Sequence, residues 1–192
     1  MTDAGTHSLS ELRDLVAKAA CGAGLDWGLA EEAGWAAEWL ARRGMPAAGW
    51  AALWLAARLA GQVSPVEVGI RLADSPRDID ALPDGLVAPG YLLPFLHRIA
   101  GRRGPVAVRS QQGPAALVQP DGQVVFGPCW QPLSNGWTCS IVGGTPSVAA
   151  APSRPTVPRP TLEVLANFAL RTTVPASDAS RRGAGSATGD ND

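Results

Sequence analysis

Side chains able to do chemistry are few in this chain and lie far apart in sequence. His97 and His7 are the two histidines, and His7 sits in a polar N-terminal stretch, so a Ser-His-Asp or Cys-His arrangement must use His97. Cys129, in "FGPCWQPLSNGWTC", is the candidate nucleophile, because a thiol in a Gly-Pro-rich loop between aromatics can be exposed and becomes reactive beside a base or cation. The competing expectation is a buried thiol, the commoner state of free cysteine, and Cys139 inside an apolar run is expected to be structural. Glu31 and Glu32 are the acid/base candidates, since a carboxyl desolvated beside Trp27 or Trp35 can exchange protons; the bland alternative is a solvent-facing pair. In "HRIAGRRGPVAVR", Arg98, Arg102, Arg103 and Arg109 follow His97 without an acid between them. Guanidinium forks suit carboxylate or phosphate and so point to a small anionic ligand, whereas arginines near a helix C-terminus also complement its dipole. No GxSxG, Walker A loop, GxGxxG after a strand, or HExxH occurs. Three cysteines and two histidines without paired spacing lead us to expect no metal and no cofactor.

Composition narrows the partners. A chain of 192 residues with 46% hydrophobic content can bury one ordinary core, and a net charge of −1 supplies no general attraction to nucleic acid or to an acidic membrane. "MTDAGTHSLS" has neither a basic nor an apolar signal region, and Cys21, Cys129 and Cys139 make an odd, widely spaced set, so a reducing cytoplasm is expected. The most apolar stretch, "PAAGWAALWLAARLA", contains Arg58 and falls short of the roughly 18 to 20 residues that span a bilayer.

The elements that must carry these residues begin with helices. "SLSELRDLVAKAA" opens with a Ser8–Glu11 capping box and places Leu9, Leu12, Val16 and Ala19 on one face. Asp26 is expected to cap a second helix, "WGLAEEAGWAAEWLARR", with Leu29, Ala33, Ala36 and Leu40 inward and Glu31, Glu38 and Arg42 outward. Gly44 stops it, Pro46 fits the first turn of a third helix, and the short link implies an antiparallel helical hairpin. Trp35 with Trp39 and Trp50 with Trp54 form two i,i+4 pairs, read as core, with a surface between copies as the alternative and an aromatic ligand box behind both. Residues 64–88 are ambiguous between a short helix, which we favour, and a half-buried strand; "GYLLPFLHRIAG" reads as a fourth helix.

After Gly104 the pattern changes to short β runs, "PVAVRS", "AALVQ", "QVVF" and "GWTCSIVG". The "PDG" turn and links too short for helical crossovers predict a small antiparallel sheet. The expected organisation is a single α+β domain over 8–142, helical over 8–101 and sheet over 105–142. A Pro-rich linker follows over 143–160, then a packing helix over 161–172 capped by Thr161, and a Gly- and Asp-containing tail over 173–192. By composition the tail is loose, yet its glycines and clustered oxygens suit close approach to an ion.

Two segments carry a resemblance. The first comprises Ala19-Ala20, Gly22-Ala23-Gly24 and Trp27-Gly28-Leu29-Ala30-Glu31-Glu32-Ala33-Gly34; the second comprises Val174-Pro175-Ala176-Ser177, Ser180-Arg181, Gly183-Ala184-Gly185 and Asp190-Asn191-Asp192. With these the chain resembles an uncharacterised bacterial family, one of the numbered domains of unknown function, over residues 8–60 and 170–192 and more loosely between. It departs from the family pattern at Cys21, where arginine is usual, and at Thr173, where an aromatic is common. The resemblance implies a domain and a tail that belongs to its design; it implies no reaction.

The leading expectation is a non-catalytic protein that recognises a metabolic enzyme or a small anionic ligand. The "WGLAEEAG" helix and the tail would form its surface, with Trp27, Ser177, Ser180, Arg181, Asp190 and Asp192 in contact. Two alternatives stand beside it. One is a small enzyme acting on a carboxylate-bearing metabolite through Glu31, Glu32 and Cys129; the other is a helical module that assembles copies of the chain through Trp50 and Trp54. A nucleic-acid or membrane partner is not expected.

Overall fold

Ser8 starts the first helix as its composition demands: its hydroxyl accepts from the Glu11 backbone N–H while Glu11 reaches back to the Ser8 N–H at 2.7 Å. The computed structural model describes residues 4–75, 82–83, 86–131, 136–142 and 156–172. Within them the order is β1 (Ala4–Thr6), α1 (Leu9–Gly22), α2 (Trp27–Ala41), α3 (Ala47–Leu59), α4 (Pro65–Asp74), α5 (Leu93–Arg103), β2 (Val106–Ser110), β3 (Gly113–Val118), β4 (Val124–Phe126), β5 (Thr138–Ile141), β6 (Thr156–Pro158) and α6 (Arg159–Leu170). The fold is α+β, with helices first, then an antiparallel sheet, then a C-terminal helix. No helix among the described residues is long and apolar enough to cross a membrane.

Small residues let the first two helices approach closely. Ala19 and Ala20 on α1, and Ala33, Gly34, Ala36 and Ala37 on α2, are all buried. A Cβ at Gly34 would stand 2.7 Å from the Arg13 carbonyl oxygen of α1, so this position tolerates no side chain. α2 therefore packs along α1 more extensively than along α3, although Gly44 does end the α2 region at φ +72°. Asp26 occupies the N-cap of α2 but makes no side-chain bond to the helix, and Pro46 precedes α3 rather than lying within it.

Residues 65–74 settle as helix. Ser64 accepts from the Val66 N–H with Pro65 at the first position, and Val66, Val68, Gly69, Leu72 and Ala73 are buried on the side facing α5. Of the alternating Val66, Val68, Ile70 and Leu72, Ile70 is only half-buried, while Gly69 and Ala73 join the others in the core at helical spacing. A 3-10 turn over Pro89–Leu92 leads into α5, which confines Pro94 to the first turn.

The four-stranded sheet has the order β4-β3-β2-β5, antiparallel throughout. Register places Val106 opposite Val118 and Ile141, and Val108 opposite Ala116 and Cys139; Val106, Val108, Ala116, Val118 and Cys139 are buried beneath α5. A bulge between Val108 and Arg109 ends that regular alternation. Gly122 closes the "PDG" turn between β3 and β4 at φ +83°.

The last element differs from expectation at its start. Residues 143–155 lie outside the described residues, but Thr156–Pro158 form a strand paired antiparallel with β1, and α6 begins at Arg159. The linker expected to reach residue 160 thus ends in structure, because the N-terminal residues supply it with a ladder partner that a local reading of either segment does not contain. Leu165 and Phe168 bury α6 against α1 and α3. At Gly22 the approach is closest: a Cβ there would overlap the Phe168 carbonyl oxygen and lie 3.4 Å from the Arg171 Cβ.

Candidate functional site

The i,i+4 tryptophans divide among four partners. Trp35 meets Phe95 edge-on at 5.6 Å, Trp39 meets His97 at 5.5 Å, Trp50 meets Trp130 at 6.5 Å, and Trp54 meets Tyr91 at 5.6 Å. Trp50 and Trp54 are buried within the chain. Their partners within the chain are Trp130 and Tyr91. Tyr91 is itself fully buried, donates to the Ala33 carbonyl at 2.8 Å, and has its phenol pushed upward by burial against a smaller opposing influence from Trp54.

Both ring nitrogens of His97 are engaged by partners other than a nucleophile among the described residues. The Trp39 indole N–H donates to its Nδ1 at 3.2 Å, and its Nε2 lies 3.2 Å from the Pro120 carbonyl. An indole can only donate, so Nδ1 is the acceptor, Nε2 carries the proton, and the ring is held as a neutral tautomer with both nitrogens satisfied. Burial pushes the imidazole below its ordinary value, and the nearby Arg43 adds to that; the Pro120 bond and Asp121 pull the other way. Cys129 stands at the opposite end of β3, its N–H on the Pro114 carbonyl at 3.3 Å and its thiol directed to the Gln112 carbonyl at 3.4 Å. Pro114 lies near the start of β3 and Pro120 just past its end at Val118, roughly 15–20 Å away at strand rise, so the fold keeps His97 and Cys129 apart. Cys139 is buried in β5 with its thiol pushed up to about 12 by desolvation, and burial with a contribution from Glu31 also raises the Cys21 thiol.

The two glutamates take different roles. Glu31 is exposed, whereas Glu32 is paired with Arg98 at 2.7 Å, and the Arg98 guanidinium lies over the Trp35 ring at 3.8 Å. α5 is thereby clamped to α2 by a cation held between a carboxylate and an indole. Arg102 donates to the Ala73 carbonyl at the end of α4 at 3.3 Å, Arg103 is exposed at the last position of α5, and Arg109 is exposed on β2 opposite Thr138 and Pro114. The arginine segment is therefore dispersed over three environments. Among the described residues, no three His, Cys, Asp or Glu side chains gather where one ion could sit.

Trp27 stands apart from all of these. It is the first residue of α2 and is 71% exposed, while Trp39, Trp50, Trp54 and Trp137 are buried and Trp35 and Trp130 half-buried. Around it lie Asp26 and Glu31, both exposed, and Gly24 at φ +86° in the turn from α1. α6 ends at the same end of the helical layer, because Gly22 touches Phe168, and Leu170 is 62% exposed there. Ser177, Ser180, Arg181, Asp190 and Asp192 lie outside the described residues, in the segment that follows Thr172.

Residues 7–74 match a family described as "Protein of unknown function (DUF3726)". The match runs from the residue before the α1 cap to the last residue of α4 and so contains the first of the two segments quoted above. No curated protein and no solved structure matches the chain. Within that matched segment, Gly34 is explained by its contact with α1 and Ala30 and Ala33 are buried, whereas Trp27 and Glu31 face solvent.

Sequence inspection missed Arg43, whose Nε donates to the Gly122 carbonyl at 2.7 Å and whose guanidinium lies 3.6 Å over the Trp39 ring. Nothing near Arg43 in sequence signals a partner 79 positions away. A cleft of about 360 Å³ between the start of α3 and β6, lined by Leu12, Met45, Ala48, Gly49, Val157 and Thr161 among others, was equally invisible.

Proposed function

We propose that this chain is a non-catalytic binding module. Its recognition surface is the end of the helical layer where the Ala23–Asp26 turn, Trp27 and the last turn of α6 meet. The observation that carries this reading is Trp27, an indole left 71% exposed in a protein that shelters its other six tryptophans. Tryptophan in such a position is the residue type most enriched among those that dominate interface energetics. Its surroundings suit a protein partner with an apolar pocket for the indole and basic groups for Asp26 and Glu31. Ser177, Ser180, Arg181, Asp190 and Asp192 lie outside the described residues, in the segment that follows Thr172 in sequence. A small anionic ligand is the weaker reading, because Arg98 and Arg102 are engaged with Glu32 and with the end of α4. We place the module in the cytoplasm, a reading supported by three free thiols.

The test is photo-crosslinking in cells from a benzoylphenylalanine at position 27, with position 53 on α3, also exposed, as control. A discrete adduct from position 27 that is absent from position 53, and at least a roughly 30-fold loss of affinity in Trp27→Ala with an unchanged melting temperature, is the expected result. Equal adducts from both positions would sink the proposal, and an adduct of twice the chain mass would identify a second copy as the partner.

A further inference from the structure

The turn between β3 and β4 is held to the helical layer by two cation-capable side chains on neighbouring carbonyls. His97 of α5 donates from Nε2 to Pro120, and Arg43, just beyond α2, donates from Nε to Gly122 at 2.7 Å and from Nη1 to the Trp39 carbonyl at 3.1 Å. Trp39 lies between them, with its ring under the Arg43 guanidinium and its N–H on His97 Nδ1. Gly122 is shaped for this approach: a Cβ there would overlap Arg43 and stand 3.1 Å from His97 Nε2. The arrangement is complete only while Nδ1 has a lone pair to offer.

We infer that protonation of His97 at Nδ1 releases the β3–β4 turn from the α2 side of the helical layer. The proton comes from solvent and occupies the lone pair that accepts the Trp39 N–H, so two donors then face each other and that bond is lost. The imidazolium also places a second positive charge beside Arg43. Asp121 in the turn is the carboxylate that offsets it; Arg42 adds to the repulsion on Arg43 and is itself paired with Glu38, while Arg98, the next residue on α5, is turned to Glu32. The His97 bond to Pro120 survives, because Nε2 donates in both states. The contacts that yield are Trp39 to His97 and Arg43 to Gly122, so the turn stays with α5 and separates from α2. Burial holds His97 below its ordinary value of about 6.5. The stability this group contributes is therefore complete above that pH and is lost as pH falls through the lower folded-state value.

Proton–nitrogen correlation spectra of the full chain, recorded from pH 7.5 to pH 5, test this directly. The Trp39 indole N–H and the Gly122 amide are expected to shift together along one curve with its midpoint below about 6.5. In His97→Gln both should stay flat over that range, since the amide can accept from Trp39 and donate to Pro120 without titrating, while His7 remains in both proteins. The same transition in His97→Gln would overturn the inference. If that variant does not fold, the His97 ring resonance of the native chain decides: uptake of its proton with no movement of the Trp39 and Gly122 signals, or at a midpoint at or above 6.5, would equally overturn it.

Discussion

Gly22→Ala separates what local helix physics asks for from what the tertiary contact allows. Gly22 is the last residue of α1 and has no positive φ, so by intrinsic preference alone alanine there should stabilise, by up to about 1 kcal/mol. The new methyl would, however, fall on the Phe168 carbonyl oxygen, a backbone atom in the helical ladder of α6 that cannot rotate aside. α6 must instead move away from α1, and its buried anchors are Leu165 and Phe168. Each contributes roughly 1.5–3 kcal/mol when fully buried, so losing about half of both costs about 1.5–3 kcal/mol, and against the gain of up to about 1 kcal/mol the net change is a destabilisation of about 0.5–2 kcal/mol. For a chain of this size that corresponds to a melting temperature lower by roughly 1–8 °C. Urea unfolding followed by circular dichroism, with m compared between variants, measures it. Gly49→Ala is the internal control: it lies in α3, a Cβ there meets nothing within 4 Å, and its stability should be equal to or above the parent. A Gly22→Ala protein as stable as Gly49→Ala would refute the close α1–α6 contact and, with it, the placement of the α6 terminus beside the turn that leads to Trp27.

Two further outcomes follow from buried groups. Tyr91→Phe removes a hydroxyl that donates to the Ala33 carbonyl from a fully buried ring, and should lower stability by about 1–2 kcal/mol in the same urea assay; an unchanged midpoint would show that the bond adds nothing net. Native protein treated with a disulfide reagent at pH 8 should leave Cys139 unmodified until denaturant is added, because its thiol is pushed up to about 12 and is 2% exposed. The native thiol count should then be the same in Cys139→Ser as in the parent, and one thiol fewer in the variant would contradict this.

How much was legible in the chain depends on the range of each interaction. The Ser8–Glu11 box and the Gly122 turn were readable because each is decided within four residues by hydrogen bonding or by allowed φ. That the runs over 105–142 form an antiparallel sheet was readable because their links are too short for helical crossovers, whereas the pairing of β5 with β2 rather than β4 was not. β1 was not, since three residues become a strand only when Thr156–Pro158 arrive beside them. The candidate site divides in the same way. That Trp27 begins a helix behind Asp26 followed from local pattern, but its exposure followed from where α1 and α6 end.

Sequence by itself thus determined most of the helices, the runs of the four-stranded sheet, and how few groups could do chemistry, because backbone preference and hydrophobic period act over one or two turns. Tertiary structure alone decided which of those groups meet. It gave Glu32 to Arg98, seated His97 between Trp39 and Pro120, and set Cys129 at the far end of the same strand. Those choices lie with the packing of small residues, Gly22 against Phe168 and Gly34 against Arg13, whose effect is to fix the distance and direction between helices that the local pattern leaves free.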